Sequence, residues 1–245
     1  MKMSPYKRLA AILSALLLTS AGATAASAEA LGSNSGNFSH LTSDDVAYIQ
    51  SQMTELGVTG SEATAFLERI DRGERLDSTK NVQPVRTEQR TVHGQLATVS
   101  VFPDGSRSST AIEKPTVITE SSDIKPKGVA RSITECVQGS GVGWYPVKGC
   151  KVRTDQFQFN MDFRADAMLG ISGQFTSYIT SIYGPTMAVG GGTYSNLRVE
   201  MMRKEQGGGL PAEARAVGDV NVWTGGYTAS VTLHINYTQM WDTSP

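Results

Sequence analysis

The sequence predicts a mainly β protein: an antiparallel β-sandwich in the C-terminal half, preceded by a small α-helical hairpin and a β-hairpin. Two runs of strict alternation and a set of glycine-rich turns carry that prediction. From Phe157 to Ala167 every odd position is apolar (Phe157, Phe159, Met161, Phe163, Ala165, Ala167), while the even positions hold Gln158, Asn160, Asp162, Arg164 and Asp166. Period-two alternation of this kind means a strand with one buried and one wet face. The last strand repeats it, with Tyr227, Ala229, Val231, Leu233, Ile235 and Tyr237 on one side and Thr228, Ser230, Thr232, His234, Asn236 and Thr238 on the other. Further strands are expected around Tyr178 to Tyr183, Leu197 to Arg203 and Ala212 to Trp223. Gly207-Gly208-Gly209 and Gly225-Gly226 supply the positive φ angles that tight hairpin turns need. Several antiparallel strands, each with one oily face, are most simply satisfied by two sheets packed face to face, here over residues 132–245.

The chain opens as an export signal. Lys2, Lys7 and Arg8 precede an apolar run from Leu9 to Leu18, and small residues lead to Ala26-Ser27-Ala28. An apolar core of about ten residues is too short for a bilayer that needs ~20, so 1–28 reads as a cleaved signal peptide. Cleavage is expected before Glu29, with a site after Ala25 as the alternative and a retained anchor as the competing reading. No lipid attachment, second span or sorting tail is expected, which makes the protein secreted and extracellular. Residues 29–40 are Ala, Gly, Ser and Asn with little to bury, and read as a flexible tail.

Residues 41–75 form the helical hairpin. Val46, Ile49, Met53 and Leu56 recur at spacings of three and four; Thr42 or Ser43 caps the start and Gly57 ends it. Thr59 and Glu62 fit a capping box for a second helix, Phe66, Leu67 and Ile70 form its stripe, and Gly73 stops it. Such a pair is too small to be stable alone, so its stripe must pack on the β domain, another copy or a different protein. Between 82 and 113, Thr91, Val92, Leu96, Val99 and Val101 are strand formers and Pro103-Asp104-Gly105 is a turn, which predicts a hairpin or small meander. The stretch 114–131 loses periodicity and reads as a linker.

The formal net charge is −1, and removing 1–28 with its three positive charges leaves about −4. That mild acidity argues against nucleic-acid binding and against docking on anionic lipid by charge alone. The two cysteines, Cys136 and Cys150, are expected to pair in an oxidising compartment, removing roughly 3 kcal/mol of unfolded-state entropy. The alternative, a metal site, has less support: His40, His93 and His234 lie far from the cysteines and there is no C-x-x-C.

Candidate chemistry is sparse. No G-x-S-x-G elbow accompanies the histidines; His93 precedes Gly94 in a turn, and His234 sits among threonines on a wet face. Asp162 and Asp166 share a strand face about 7 Å from Arg164, which is expected to pair with both at the surface. Neither a D-x-D-x-D-G calcium loop nor a lysine after Gly190-Gly191-Gly192-Thr193 is present, so the latter reads as a turn. The aromatic residues are the better candidates. Trp144 and Tyr145 lie inside the cysteine loop, and Trp223 and Tyr227 bracket Gly225-Gly226, so rings at sheet ends are placed to stack on sugar faces or peptide segments. Core or turn packing is the alternative for each.

The order of elements is also informative: a signal peptide, a helical hairpin ending in Leu67-Glu68-Arg69-Ile70-Asp71-Arg72-Gly73-Glu74, a strand pair with Phe102-Pro103-Asp104-Gly105-Ser106, the loop Cys136 to Cys150, and the run Phe157 to Phe163. It resembles a loose group of small secreted actinobacterial proteins with no assigned activity, over most of the chain after the signal. The resemblance implies no functional residues. The function expected from the residues is a non-enzymatic extracellular binding or envelope-associated module, with a cell-envelope glycan or protein as partner and no cofactor or metal. The alternatives are a secreted hydrolase acting on polysaccharide or ester substrates, whose carboxylates only the fold brings together, and a structural subunit that self-associates through the helices.

Overall fold

Thr42 begins the first helix in the way its sequence invites. In the computed structural model, which describes residues 38–117, 135–171, 175–223 and 225–244, its hydroxyl accepts from Asp45 N while the Asp45 carboxylate accepts from Thr42 N, a complete capping box. The expected signal, most of the expected tail and most of the expected linker lie outside the described residues. Helix α1 runs Ser43–Glu55 and α2 Gly60–Asp71. Both end in the same motif: Gly57 and Gly73 take positive φ, Gly57 N donates to Thr54 O and Val58 N to Met53 O, and Gly73 N and Glu74 N donate to Ile70 O and Arg69 O. The capping box expected at Thr59 does not form. Thr59 is the N-cap of α2, but its side chain makes no capping bond.

The strands follow in chain order: β1 Arg86–Val92, β2 Gln95–Val101, β3 Arg107–Ile112, the two-residue β4 Thr116–Val117 and β5 Val137–Gln138, β6 Trp144–Gln156, β7 Phe159–Gly170, β8 Tyr178–Val189, β9 Gly192–Arg203, β10 Ala212–Val222, β11 Gly225–Asn236 and β12 Gln239–Thr243. Two sheets result. The second, in the order β12-β11-β10-β9, faces the β6–β8 part of the first. Bulky Phe159, Met161 and Phe163 of β7 meet the small Ala212, Ala214 and Ala216 of β10 and the aliphatic Val231, Leu233 and Ile235 of β11, all buried. Large against small is how two inner faces interdigitate at close spacing. The protein is therefore mainly β with an N-terminal helical piece, as the alternation predicts.

The first sheet extends beyond the sandwich. β3 pairs with β6 from Ser108↔Gln156 to Ile112↔Val152, which makes the meander β1–β3 continuous with the sandwich strands. On that extension sits a second core: Ile49, Met53, Phe66, Leu67 and Ile70 of the helices cover Ala97, Val99 and Ala111. The helical stripe thus packs on the β domain of its own chain. The strand expected from Phe157 begins instead at Phe159, because Phe157-Gln158 is the two-residue turn between β6 and β7, and Phe157 points to the helices, its ring 5.0 Å from that of Phe66.

The even face of β7 is not wet as expected. Gln158 and Asp162 are buried and the others half-buried, since Tyr48 of α1 covers Asn160 and charged side chains of β6 cover the middle. The last strand is also shorter than its pattern: Tyr237, at positive φ, and Thr238 turn the chain into β12, with Asn236 paired to Gln239. Likewise the turn before β11 falls at Trp223; Gly225 and Gly226 are already paired with Val222 and Asn221.

Gly190 and Gly191, read as a turn, join β8 to β9 and also receive α1. Asp45 accepts from Gly191 N at 2.7 Å, Tyr48 donates to Ala188 O, and a Cβ on Gly190 would lie 2.6 Å from the Tyr48 ring. Cys136 and Cys150 are bonded, joining the start of β5 to β6. Among the described residues no helix is long and apolar enough to cross a membrane.

Candidate binding cleft

The segment that leaves α2 builds a cleft at one end of the sandwich. Past Gly73 the chain is held by one carboxylate, that of Asp104 in the β2–β3 turn. Its Oδ1 accepts from Ser106 N and Oγ, and its Oδ2 accepts from Arg69 at 3.0 Å and from Asp77 N at 3.1 Å. Burial works to raise the pKa of Asp104, but these bonds hold it below the usual carboxylate value. Ser78 N then donates to Ser106 Oγ, which fixes residues 74–79 along the sandwich end.

Fixed in this way, Arg75 lies over the ring of Tyr227, its guanidinium 4.9 Å from the centroid. Tyr227 is the first inward-facing residue of β11, and burial pushes its phenol pKa well up, against the opposing charge of Arg75. Beside it Trp223 is 49 % exposed, and its ring stacks on His40 at 3.8 Å and 16°. His40 is itself pinned. The Asp71 carboxylate at the end of α2 accepts from Ser39 N and Oγ, His40 N and Leu41 N, and these bonds lower its pKa although burial opposes them. Leu41, Glu74, Arg75, Gln158, Trp223 and Tyr227 line the resulting cleft. Glu74, its carboxylate, is bound by Arg72 and Arg69, whose hydrogen bonds lower its pKa.

Of the four aromatic candidates, Trp223 and Tyr227 come together here. Trp144 and Tyr145 do not join them: they begin β6, thirteen residues long, and the cleft residue Gln158 lies just past its other end, so the two pairs are separated by roughly 40 Å of strand rise. Trp144 packs edge-on against Phe175 with its N–H toward Thr176 O, and Tyr145 packs against the sandwich core. Sequence reasoning missed the parts that His40, Arg75 and Gln158 play in this cleft. Arg75 stands in a charged run after a helix and reads as solvated; only the Asp104 hub turns it toward Tyr227.

The remaining polar candidates are structural pairs. His93 and Gly94 both take positive φ in the β1–β2 turn, and the His93 ring lies between Glu55 (4.0 Å) and the buried Asp155 (3.3 Å), which also binds Arg153. Asp162 faces Lys151, Asp166 accepts from Gly149 N and Tyr183, and Arg164 reaches Glu113 and Gly149 O. His234 stacks on Trp241, its cross-strand partner. Among the described residues no three His, Cys, Asp or Glu side chains converge as a metal ligand set. No family model, curated protein or solved structure matches this chain.

Proposed function

We propose that this is an exported binding protein that holds a cell-envelope glycan in the cleft beneath α2, without catalysis. The observation that carries the reading is the Trp223 ring, half exposed yet braced from behind by His40 and flanked by Arg75 over Tyr227. An exposed aromatic held in one orientation is a costly feature for a surface and a useful one for binding, since a sugar's apolar face stacks on it without ordering the protein further. Export follows from the signal-like segment 1–28 and fits a bonded Cys136–Cys150 pair.

The test is a pull-down of protein beginning at Glu29 with isolated cell wall and with a polysaccharide panel, comparing wild type, Trp223→Ala and Trp144→Ala. Retention is expected to fall at least tenfold for Trp223→Ala and to persist for Trp144→Ala. Absence of wild-type retention on every surface, or equal loss in both variants, overturns the reading.

A further inference from the structure

A sheet edge with unpaired N–H and C=O groups is a template for another strand, and folded proteins protect such edges. Among the described residues, most edges of this protein are protected. β1 carries only polar side chains before Val92, β4 has two residues, and β12 has five and meets β3. β8 pairs only with β7 and is interrupted midway by Gly184 at positive φ and by Pro185, which has no N–H to donate. β9 is the exception. It ends the second sheet, pairs only with β10, contains no proline, and none of its twelve residues is buried. Its large apolar side chains stand in solvent, Tyr194 46 %, Met201 38 % and Met202 50 % exposed. The edge stays open as far as Arg203, beyond which Ile179 N donates to Lys204 O.

The sequence of β9 selects its partner. Register shifts on the β10 side bracket the regular stretch Arg198–Met201. Arg198 and Glu200 share one face, their side chains 2.8 Å apart, while Leu197 and Val199 pack on the sandwich core from the other and Met201 pairs with the core residue Ala214. In an antiparallel pair of two copies about Val199, residues equally far from Val199 stand opposite one another. Arg198 of each copy then faces Glu200 of the other, twice by symmetry, Leu197 faces Met201, and Val199 meets its own copy on the axis. Moving the axis one residue sets Glu200 against Glu200 or Arg198 against Arg198, so charge selects the register.

We propose that this edge is where two copies of the chain pair, joining their four-stranded sheets into one continuous antiparallel sheet centred on Val199. The pairing stands independently of what the cleft binds. β9 starts beside the cleft at Gly192, seven residues before Val199, so both clefts stay open at opposite ends of the joined strands, roughly 45 Å apart along them. Two clefts on one dimer suit a polymer of repeated units.

The experiment is sedimentation equilibrium over a concentration series with protein beginning at Glu29, comparing wild type, Arg198→Glu, Glu200→Arg and an equimolar mixture of the two variants. Wild type is expected to dimerise reversibly. Arg198→Glu sets glutamates opposite each other at both symmetric positions and Glu200→Arg sets arginines there, so each is expected to weaken self-association at least tenfold. In the mixture every opposed pair is again Glu with Arg, and the dimer is expected to return as a heterodimer, which also shows both variants to be folded. A wild type that stays monomeric, variants that dimerise like the wild type, or a mixture that stays monomeric overturns the pairing.

Discussion

At the seam where β12 meets β3, Asp242 illustrates how one residue's surroundings set a pH dependence. Burial raises its pKa, more than the bond from Thr110 lowers it, and its Oδ2 has no partner. A native carboxyl with a raised pKa binds more protons than the unfolded one between about pH 3.8 and its native value, so stability falls as pH rises through that window. Above the window the full penalty of a buried, half-bonded charge remains. Asp242→Asn is therefore expected to stabilise the protein by on the order of 1 kcal/mol at pH 7 and to leave it unchanged below pH 3.8, read from urea midpoints at each pH. Equal effects at both pH values would assign the change to packing. His234 on the neighbouring strand runs the other way: burial lowers its pKa despite Glu213, so its contribution is lost as pH falls below about 6.5.

The helices separate residues that only look like caps from those that act as caps. Thr42 and Thr59 occupy the same N-cap position, yet only Thr42 accepts a bond from its helix. Thr42→Ala is expected to cost about 1 kcal/mol and Thr59→Ala only a few tenths, by chemical denaturation. For α1 the docking depends on the β8–β9 turn as well as on the apolar stripe. Gly190 leaves room for Tyr48 and Ile49, and its replacement by Ala would press a methyl to 2.6–2.8 Å from both. Gly190→Ala should thus destabilise by about 1–3 kcal/mol, whereas Gly207→Ala, whose Cβ meets nothing within 4 Å, should not. Comparable losses in the two would show that backbone freedom matters more than the docked side chains.

For the molecule as a whole, the consequence is one cooperative unit built from two cores. The helical core and the sandwich core share the first sheet, and at the β6–β7 connection Phe157 of the turn packs with the helices while Phe159, the first residue of β7, packs in the sandwich. Neither can lose its side of the sheet without exposing the other. Urea unfolding followed by Trp223 alone and by Trp144 alone, in variants with the other tryptophans changed to Phe, should give coincident midpoints although the probes lie at opposite ends. Separate midpoints would mean that the helical end opens on its own, and with it the cleft.

The apolar faces of β7 and β11, the cap of α1, the glycine ends of both helices and the His93-Gly94 and Gly208-Gly209 turns were legible in the sequence because each depends on residues one to four apart, whereas the burial of the polar face of β7 was not. β6 was not: its register shifts between Val147 and Cys150, so its side chains change face midway and the alternation breaks. Trp223 and Tyr227 stood out as rings beside glycines, but their neighbours did not. His40, Arg75 and Gln158 come from three separate stretches of chain, and each is an ordinary polar residue in its local context. Local patterning determined which segments fold and which face they bury. The tertiary structure alone decided that those segments meet around Tyr227 and Trp223, because contact between distant stretches is a property of neighbours in space.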